Sequence, residues 1–228
     1  MSMFGNKSPM VVIFVDRNRL QFYGGGLSSI LALDIPPTIV RDLEIVNRDA
    51  FYTLVNQWLK QNNLGGAELF FVLSPQSYFE KVVASTGDSE QETEILDFYE
   101  SVPFEELVTK VYTINTRKVA VATNKDFVEA IRHGFMLQGL DVISMIPAVL
   151  LGTLAGKRWL DAEMGSYIIK HLESLRSQTI IDLEEPGQTA SIPMRNVPTA
   201  QNNPRLMIMV GILGVLLLVL IFFIFVRR

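Results

Sequence analysis

The residue types that most often carry chemistry in proteins are scarce or scattered in this sequence. It has no cysteine, which excludes disulfide bonds, thiolate metal sites and a cysteine nucleophile. Its two histidines, His133 and His171, lie far apart in sequence, and exposed or capping histidines are commoner than metal ligands. No set of residues forms a catalytic constellation, so we predict a chain that is not an enzyme and holds no metal or cofactor.

Three consecutive glycines, Gly24, Gly25 and Gly26, raise the question of a phosphate-binding loop. A loop of that kind carries a Lys and a Ser or Thr after its glycines and opens a helix. Here the triplet lacks that pair and leads into a β-rich run, so we favour a hairpin turn over a phosphate loop.

A cluster of acidic residues lies in one predicted helix, residues 89–100. Its members are Asp88, Glu90, Glu92, Glu94, Asp97 and Glu100. Such a cluster is either a docking face for a basic partner or a solvated helix face, and we favour the solvated face.

Length and charge limit the function classes further. The 228 residues suit one domain of ordinary size, although two small domains would also fit. The net charge of −4 gives no attraction to phosphate backbones, because a nucleic-acid-binding protein needs clustered Lys and Arg. We therefore predict no nucleic-acid partner.

The hydrophobic pattern of residues 1–183 predicts an α/β domain with a mixed sheet and flanking helices. The predicted strands are residues 10–15, 19–24, 28–35, 68–73, 108–114, 117–122 and 141–146. The predicted helices follow Asn47 and Asn124 as N-caps and end at Gly65–Gly66 and Gly139; further helices cover residues 78–83, 89–100 and most of 148–177.

The C-terminal part of the sequence predicts a linker and a membrane anchor. Residues 184–205 carry four prolines and little apolar periodicity, which is typical of a flexible, partly extended linker. Residues 206–226, LMIMVGILGVLLLVLIFFIFV, are uninterruptedly apolar and would span roughly 30 Å as a helix. We predict a single transmembrane helix there, followed by a short tail of residues 227–228.

The orientation of this anchor has two opposing indications. The Arg227–Arg228 pair favours a cytoplasmic C-terminus by the positive-inside rule. The N-terminal apolar run is too short for a signal peptide, and this favours a cytoplasmic N-terminal domain. We give the missing signal more weight and predict that residues 1–183 lie in the cytoplasm.

Three segments have the pattern of a known family: residues 72–83 (VLSPQSYFEKVV), residues 102–106 (VPFEE) and, with most weight, residues 118–151 (KVAVATNKDFVEAIRHGFMLQGLDVISMIPAVLL). They resemble PilM, the actin-like cytoplasmic protein family of type IV pilus machines. The resemblance covers roughly residues 9–155. It implies a ribonuclease H-like, actin-like fold.

Two departures from that family bear on catalysis. Actin-like ATPases hold phosphate with an Asp-x-Gly-Thr/Ser turn after the first strand, and the matching residues here are Asp16, Arg17, Asn18 and Arg19. Nucleotide also sits between two such halves, and this chain has room for little more than one. A nuclease would need converging carboxylates, but the run 68–73 is followed by Ser74.

The tethering of such a domain by one membrane helix is similar to the layout of the GspL family of type II secretion. That resemblance implies a non-catalytic scaffold at the inner membrane, whose partners are the lipid bilayer and pilus or secretion assembly proteins, with a possible homo-oligomer. The alternatives are an actin-like ATPase completed by oligomerisation, an unrelated membrane-bound hydrolase, and a tail-anchored adaptor unrelated to pili.

Overall fold

The structure, a computed structural model, describes residues 8–182. The strands are β1 (Met10–Asp16), β2 (Arg19–Gly24), β3 (Leu31–Asp34), β4 (Val40–Arg41), β5 (Glu44–Ile45), β6 (Glu68–Leu73), β7 (Phe79–Val82), β8 (Leu107–Ile114), β9 (Arg117–Asn124) and β10 (Asp141–Pro147). The helices are α1 (Arg48–Gln61), α2 (Asp88–Ser101), α3 (Lys125–Met136), α4 (Ala162–Lys170) and α5 (Leu172–Arg176), and a 3₁₀ segment covers Ala148–Leu154.

The main sheet has five strands in the order β10-β6-β1-β2-β3. Strands β1, β2 and β3 form an antiparallel meander, whereas β1, β6 and β10 run parallel. The two central parallel strands are almost continuously apolar, and five consecutive residues of each are buried. Such strands must be covered on both faces.

Helices cover the two faces of this sheet. On one face, Phe22 of β2 stacks on Trp58 of α1 with ring centroids 4.0 Å apart, and it also lies near Phe135 of α3. On the other face, the hydroxyl of Tyr23 lies 2.9 Å from the Oγ of Ser166 in α4. Adjacent residues of a strand point to opposite faces, so α1 and α3 lie on one side of the sheet and α4 on the other.

A second sheet has three antiparallel strands in the order β7-β9-β8, and α2 packs against it. Strands β8 and β9 are joined by the two-residue turn Asn115–Thr116, where both residues have positive φ. That is the conformation of a type I′ hairpin turn. A small hairpin of β4 and β5, which the hydrophobic pattern does not predict, turns at Asp42 and Leu43.

The sequence-based prediction of a mixed α/β sheet with flanking helices is confirmed for the part of the chain that the structure describes. Both predicted asparagine caps are present: Asn47 accepts a hydrogen bond from the backbone N–H of Ala50, and Asn124 accepts one from that of Asp126. The linker, the transmembrane helix and the tail lie outside the described residues.

Three predicted elements differ from the structure. The helix over residues 78–83 is wrong, because this segment forms β7, which pairs with β9 from Phe79 to Val82. Residues 148–177 are less helical than predicted, with a 3₁₀ segment broken at Gly152 and helix resuming only at Ala162. The third predicted strand is shorter than residues 28–35 and covers Leu31–Asp34.

No helix within residues 8–182 is long and apolar enough to cross a bilayer.

Candidate functional site

The carboxyl ends of β1 and β6 lie side by side in the main sheet. Ligands of open α/β sheets bind outside this edge, at the place where the strand order reverses. Here β1 is that place, because β2 continues the sheet on one side of it and β6 on the other. Strand β1 ends at Asp16, and Ser74 directly follows β6.

Asp16 and Ser74 are hydrogen-bonded to each other at this edge. The Oγ of Ser74 donates to Oδ1 of Asp16 over 2.8 Å. The same carboxylate oxygen accepts from the backbone N–H of Arg17 at 2.9 Å. Ser74 is 1% exposed, and its own N–H donates to the carbonyl of Val15 at 2.8 Å. The Asp16 side chain therefore fastens its own turn to the neighbouring strand.

A second group of buried hydroxyls extends this network. The Oγ of Ser77 donates to the carbonyl of Val15 at 2.7 Å, and Thr123 Oγ1 donates to the carbonyl of Ser77 at 2.8 Å. The backbone N–H of Gln76 donates to Ser74 Oγ at 3.1 Å. Because buried hydroxyls are costly without partners, a fully paired group of this kind stabilises one fixed arrangement of the three segments.

The end of β10 is joined to the same region through Tyr78. Its hydroxyl accepts a hydrogen bond from the backbone N–H of Val149 at 3.1 Å, just after β10. Burial, together with the nearby Glu80 carboxylate, raises the pKa of Tyr78. Tyr78 is therefore neutral at physiological pH and bridges β7 to the start of the 3₁₀ segment.

Arg17 of the turn and Arg19, the first residue of β2, both contact other parts of the protein. Arg17 Nε donates to the carbonyl of Gln76 at 3.2 Å. Arg19 Nε donates to Oδ1 of Asp34 at 2.5 Å, and its guanidinium lies 5.4 Å from the centre of the Trp159 ring.

The turn between β1 and β2 is too short to surround a phosphate. Asp16 pairs with Arg19 across a loop of only two residues, Arg17 and Asn18. Neither is a glycine, so their side chains keep the backbone amides from approaching a phosphate as closely as in an Asp-x-Gly-Thr/Ser turn. The geometry supports a structural role for Asp16.

The glycine triplet forms a turn, as predicted. The N–H of Leu27 donates to the carbonyl of Gly24 at 3.0 Å, and all three glycines have positive φ. A Cβ on Gly24 would lie 2.7 Å from the carbonyl oxygen of Met10, so the close approach of β1 also requires glycine there.

The two histidines lie apart in the structure and contact aromatic rings. His133 of α3 meets Tyr52 edge to face at 5.5 Å, and Nδ1 of His171 lies 2.8 Å from the carbonyl oxygen of Tyr167. Within residues 8–182, no group of three histidine or acidic side chains is placed to hold a metal ion.

One member of the acidic cluster has a structural role. Glu94 Oε2 accepts hydrogen bonds from the N–H groups of Ala84 and Ser85, both at 3.1 Å, and from the Ser85 hydroxyl at 2.9 Å. The hydrogen bonds from Ser85, with those from Ala84 and Lys81, lower the pKa of Glu94 to about 2. For the other acidic side chains, the solvated helix face that we favour stays a prediction, with docking as its alternative.

A cleft of about 340 Å³ lies between α3, the start of β8 and the last described residues. Lys125, Glu129 and Arg132 of α3 line one wall, and residues 180–182 line another. The Nε of Arg132 is buried there without a hydrogen-bond partner among the described residues. The helical pattern of residues 125–136 shows Arg132 next to the apolar stripe, but only the fold brings residues 180–182 beside it.

No family model matches the sequence, and no curated protein matches it significantly. The chain is similar to a number of solved structures at low identity. One is described as the PilM-PilN type IV pilus biogenesis complex, with 12% identity, a TM-score of 0.45 and coverage of 63% of this chain and 48% of the other.

The second similar structure is the cytoplasmic domain of EpsL, an inner membrane component of the type II secretion system of Vibrio cholerae. It has 12% identity, a TM-score of 0.38 and coverage of 63% of this chain and 58% of the other. The third is a Bacteroides thetaiotaomicron protein with an actin-like ATPase fold and unknown function, with 7% identity, a TM-score of 0.37 and coverage of 65% and 56%. The match thus spans about half the length of each of the three chains.

Proposed function

We propose that this chain is a non-catalytic scaffold, anchored to the inner membrane, that recruits components of a type IV pilus or related secretion machine. The observation that carries the non-catalytic part is the Asp16–Ser74 hydrogen bond. It uses the carboxylate that would face a phosphate to fasten the strand ends together. Because this turn contains neither a glycine nor a residue with a small hydroxyl, no other group in it would bind a phosphate in place of that carboxylate.

The membrane-anchored part of the proposal rests on the sequence. Residues 206–226 are apolar throughout and long enough to cross the bilayer once. Residues 184–205 would act as a linker that lets the N-terminal domain extend away from the bilayer. In this proposal the domain of residues 1–183 lies on the cytoplasmic side of the membrane.

The recruiting part rests on the PilM-like segments and on a surface suited to a protein ligand. Residues 118–151, which carry most of the resemblance, contain β9 and α3 and therefore one wall of the cleft at Arg132. The Arg132 side chain is half-buried in this lining, and a carboxylate of a bound protein would pair with the accessible part of its guanidinium. The cleft is therefore our candidate for a docking surface.

Affinity capture tests the recruiting role. The full-length chain is captured from gently solubilised native membranes, and the bound proteins are identified by mass spectrometry. The matched control is a chain ending at Pro186, which lacks the apolar segment but keeps every residue that the structure describes.

We expect pilus or secretion platform and motor subunits with the full-length chain, and fewer of them with the shorter chain. Recovery of unrelated proteins alone would favour an adaptor outside pilus machinery. Recovery of no specific protein with either chain would overturn the scaffold proposal.

A further inference from the structure

Strand β8 forms one edge of the three-stranded sheet and has eight residues. Ile114 and Arg117 flank the two-residue turn and therefore exchange hydrogen bonds. Counting back from Ile114, every second residue of β8 is hydrogen-bonded to β9. The residues between them include Thr109, Val111 and Thr113, whose backbone N–H and C=O groups point away from β9. No other described segment forms a backbone hydrogen bond to these three residues.

The outer edge of β8 lacks the usual protection against strand pairing. Proteins commonly protect edge strands with charged side chains, prolines or bulges. The side chains of Thr109, Val111 and Thr113 are exposed and uncharged, and β8 pairs with β9 without a bulge. Its one charged residue, Lys110, donates a hydrogen bond from Nζ to the carbonyl of Thr179 at 2.5 Å. By contrast, a side chain already uses one backbone carbonyl of β3, an edge strand of the main sheet, because Trp58 Nε1 donates a hydrogen bond to it.

Helix α2 packs on one face of this sheet, over β9. Its residue Gln91 accepts a hydrogen bond from Lys118 of β9 at 2.6 Å, and Tyr99 lies beside Thr109 of β8. On the opposite flank, Glu94 contacts Lys81 of β7 at 3.4 Å. The helix therefore follows the sheet, with the Tyr99 flank turned toward β8.

The flank of α2 that faces β8 is acidic and partly apolar. Residues 11, 7 and 3 positions before Tyr99 share its side of the helix, and these are Asp88, Glu92 and Leu96. All three are exposed, and Leu96 has an exposed fraction of 54%. A strand added to β8 would run next to these side chains.

We propose that the outer edge of β8 binds an extended segment of a partner protein by strand addition, and that this segment carries Lys or Arg on the face turned toward α2. Main-chain hydrogen bonds to Thr109, Val111 and Thr113 supply the affinity, and Asp88 and Glu92 select the basic segment. A second copy pairing antiparallel through β8 is disfavoured. Its two-fold axis would place both acidic flanks on the same side of the joined sheet.

This inference rests on the proposed scaffold function and names the chemistry of one partner. The probe is a blocked eight-residue peptide of alternating lysine and valine, added to the full-length chain in neutral detergent. Its matched control replaces every lysine with glutamate. Binding is measured by fluorescence anisotropy, and amide hydrogen exchange is followed at residues 107–114.

Two variants separate strand addition from general charge attraction. Val111→Pro removes an N–H that points away from β9, and proline is tolerated at such an edge position. Val111→Thr keeps the N–H and the β-branched shape and is the matched control. Glu92→Lys, at an exposed helix position, tests the charge selection without touching the sheet.

We expect the lysine peptide to bind and to slow exchange at Thr109, Val111 and Thr113, while the glutamate peptide does not bind. Val111→Pro should weaken binding about tenfold or more, and Val111→Thr by no more than about twofold. Glu92→Lys should weaken binding of the lysine peptide without altering exchange in the free chain.

Absence of lysine-peptide binding, or equal binding by Val111→Pro, would overturn the strand-addition site. Peptide binding that increases with protein concentration because the chain dimerises would also overturn it, in favour of β8 pairing between two copies of the chain. The scaffold function is tested separately, because capture of assembly subunits that is unchanged by Val111→Pro would reject this edge and leave that function standing.

Discussion

The Oγ of Ser74 donates a hydrogen bond to Asp16 Oδ1 at 2.8 Å, and this bond joins the ends of two neighbouring parallel strands. The bond lies at the sheet edge where an open α/β fold would bind a ligand. A carboxylate that is used in this way contributes to the stability of the domain. This hydrogen bond therefore leads to two predictions, one on the stability of the domain and one on the binding of nucleotide.

Removing the Ser74 hydroxyl should destabilise the domain. Ser74→Ala removes one of the two donors to Asp16 Oδ1 and leaves the N–H of Gln76 without its acceptor, at a position that is 1% exposed. We expect a loss of about 1–3 kcal/mol in the free energy of unfolding, measured by urea denaturation of the full-length chain. Ser101→Ala, which removes an exposed hydroxyl at the end of α2, is the control. Equal losses for the two variants would contradict a structural role for Ser74.

Glu94 should make stability depend on pH in the acid range. Its pKa falls from the ordinary 4.5 to about 2 on folding, mainly because Ser85 donates hydrogen bonds to it. The folded state therefore binds fewer protons than the unfolded state. The contribution of Glu94 is complete above about pH 4.5 and disappears as the pH falls through 2.

Glu94→Gln tests this dependence. Its urea midpoint should lie below that of the unaltered chain at pH 7, and the difference should shrink between pH 4.5 and 2. Glu92→Gln, on the exposed side of the same helix, should change the midpoint less. A pH-independent difference for Glu94→Gln would show that the carboxylate charge is not what matters.

Packing of α4 on the sheet should depend on Gly165. A Cβ at this position would lie 2.2 Å from a ring carbon of Tyr23, whose hydroxyl is already fixed near Ser166. Overpacking of this kind outweighs the better helix propensity of alanine. We expect Gly165→Ala to cost about 1–3 kcal/mol in the free energy of unfolding. Gly156→Ala, with open space around its Cβ, should stay within about 0.5 kcal/mol.

Asn124 should contribute more to stability than the equivalent cap Asn47. Both side chains cap a helix, but Nδ2 of Asn124 also donates to the carbonyl of Leu43 at 2.9 Å. We expect Asn124→Ala to cost about 2 kcal/mol, because both the cap and the buried carbonyl lose a partner, against about 1 kcal/mol for Asn47→Ala. Chemical denaturation of both variants measures the difference, and equal costs would mean that the bond to Leu43 contributes nothing.

Elements with a strong local signal could be predicted from the sequence. Strand β6 has the predicted bounds because five of its six residues are apolar and Ser74–Pro75 end it. The caps Asn47 and Asn124 are local signals of the same kind. The sequence also correctly predicts a turn at Gly24–Gly26, because three glycines allow the positive φ of each residue.

Elements that depend on distant partners could not be predicted. The segment of β7 contains both charged and apolar residues, and only its pairing with β9 makes it a strand. The hairpin of β4 and β5 has two residues in each strand, which is too short for any periodicity. The Asp16–Ser74 bond joins residues 58 positions apart, so the strand order had to be known first.

A titration of the full-length chain with ATP and Mg²⁺, followed by isothermal calorimetry, tests whether the Asp16 turn is structural. We expect no saturable binding at micromolar concentrations of nucleotide. Micromolar binding that Asp16→Ala abolishes, while thermal unfolding shows that the variant is still folded, would contradict it and favour an actin-like ATPase.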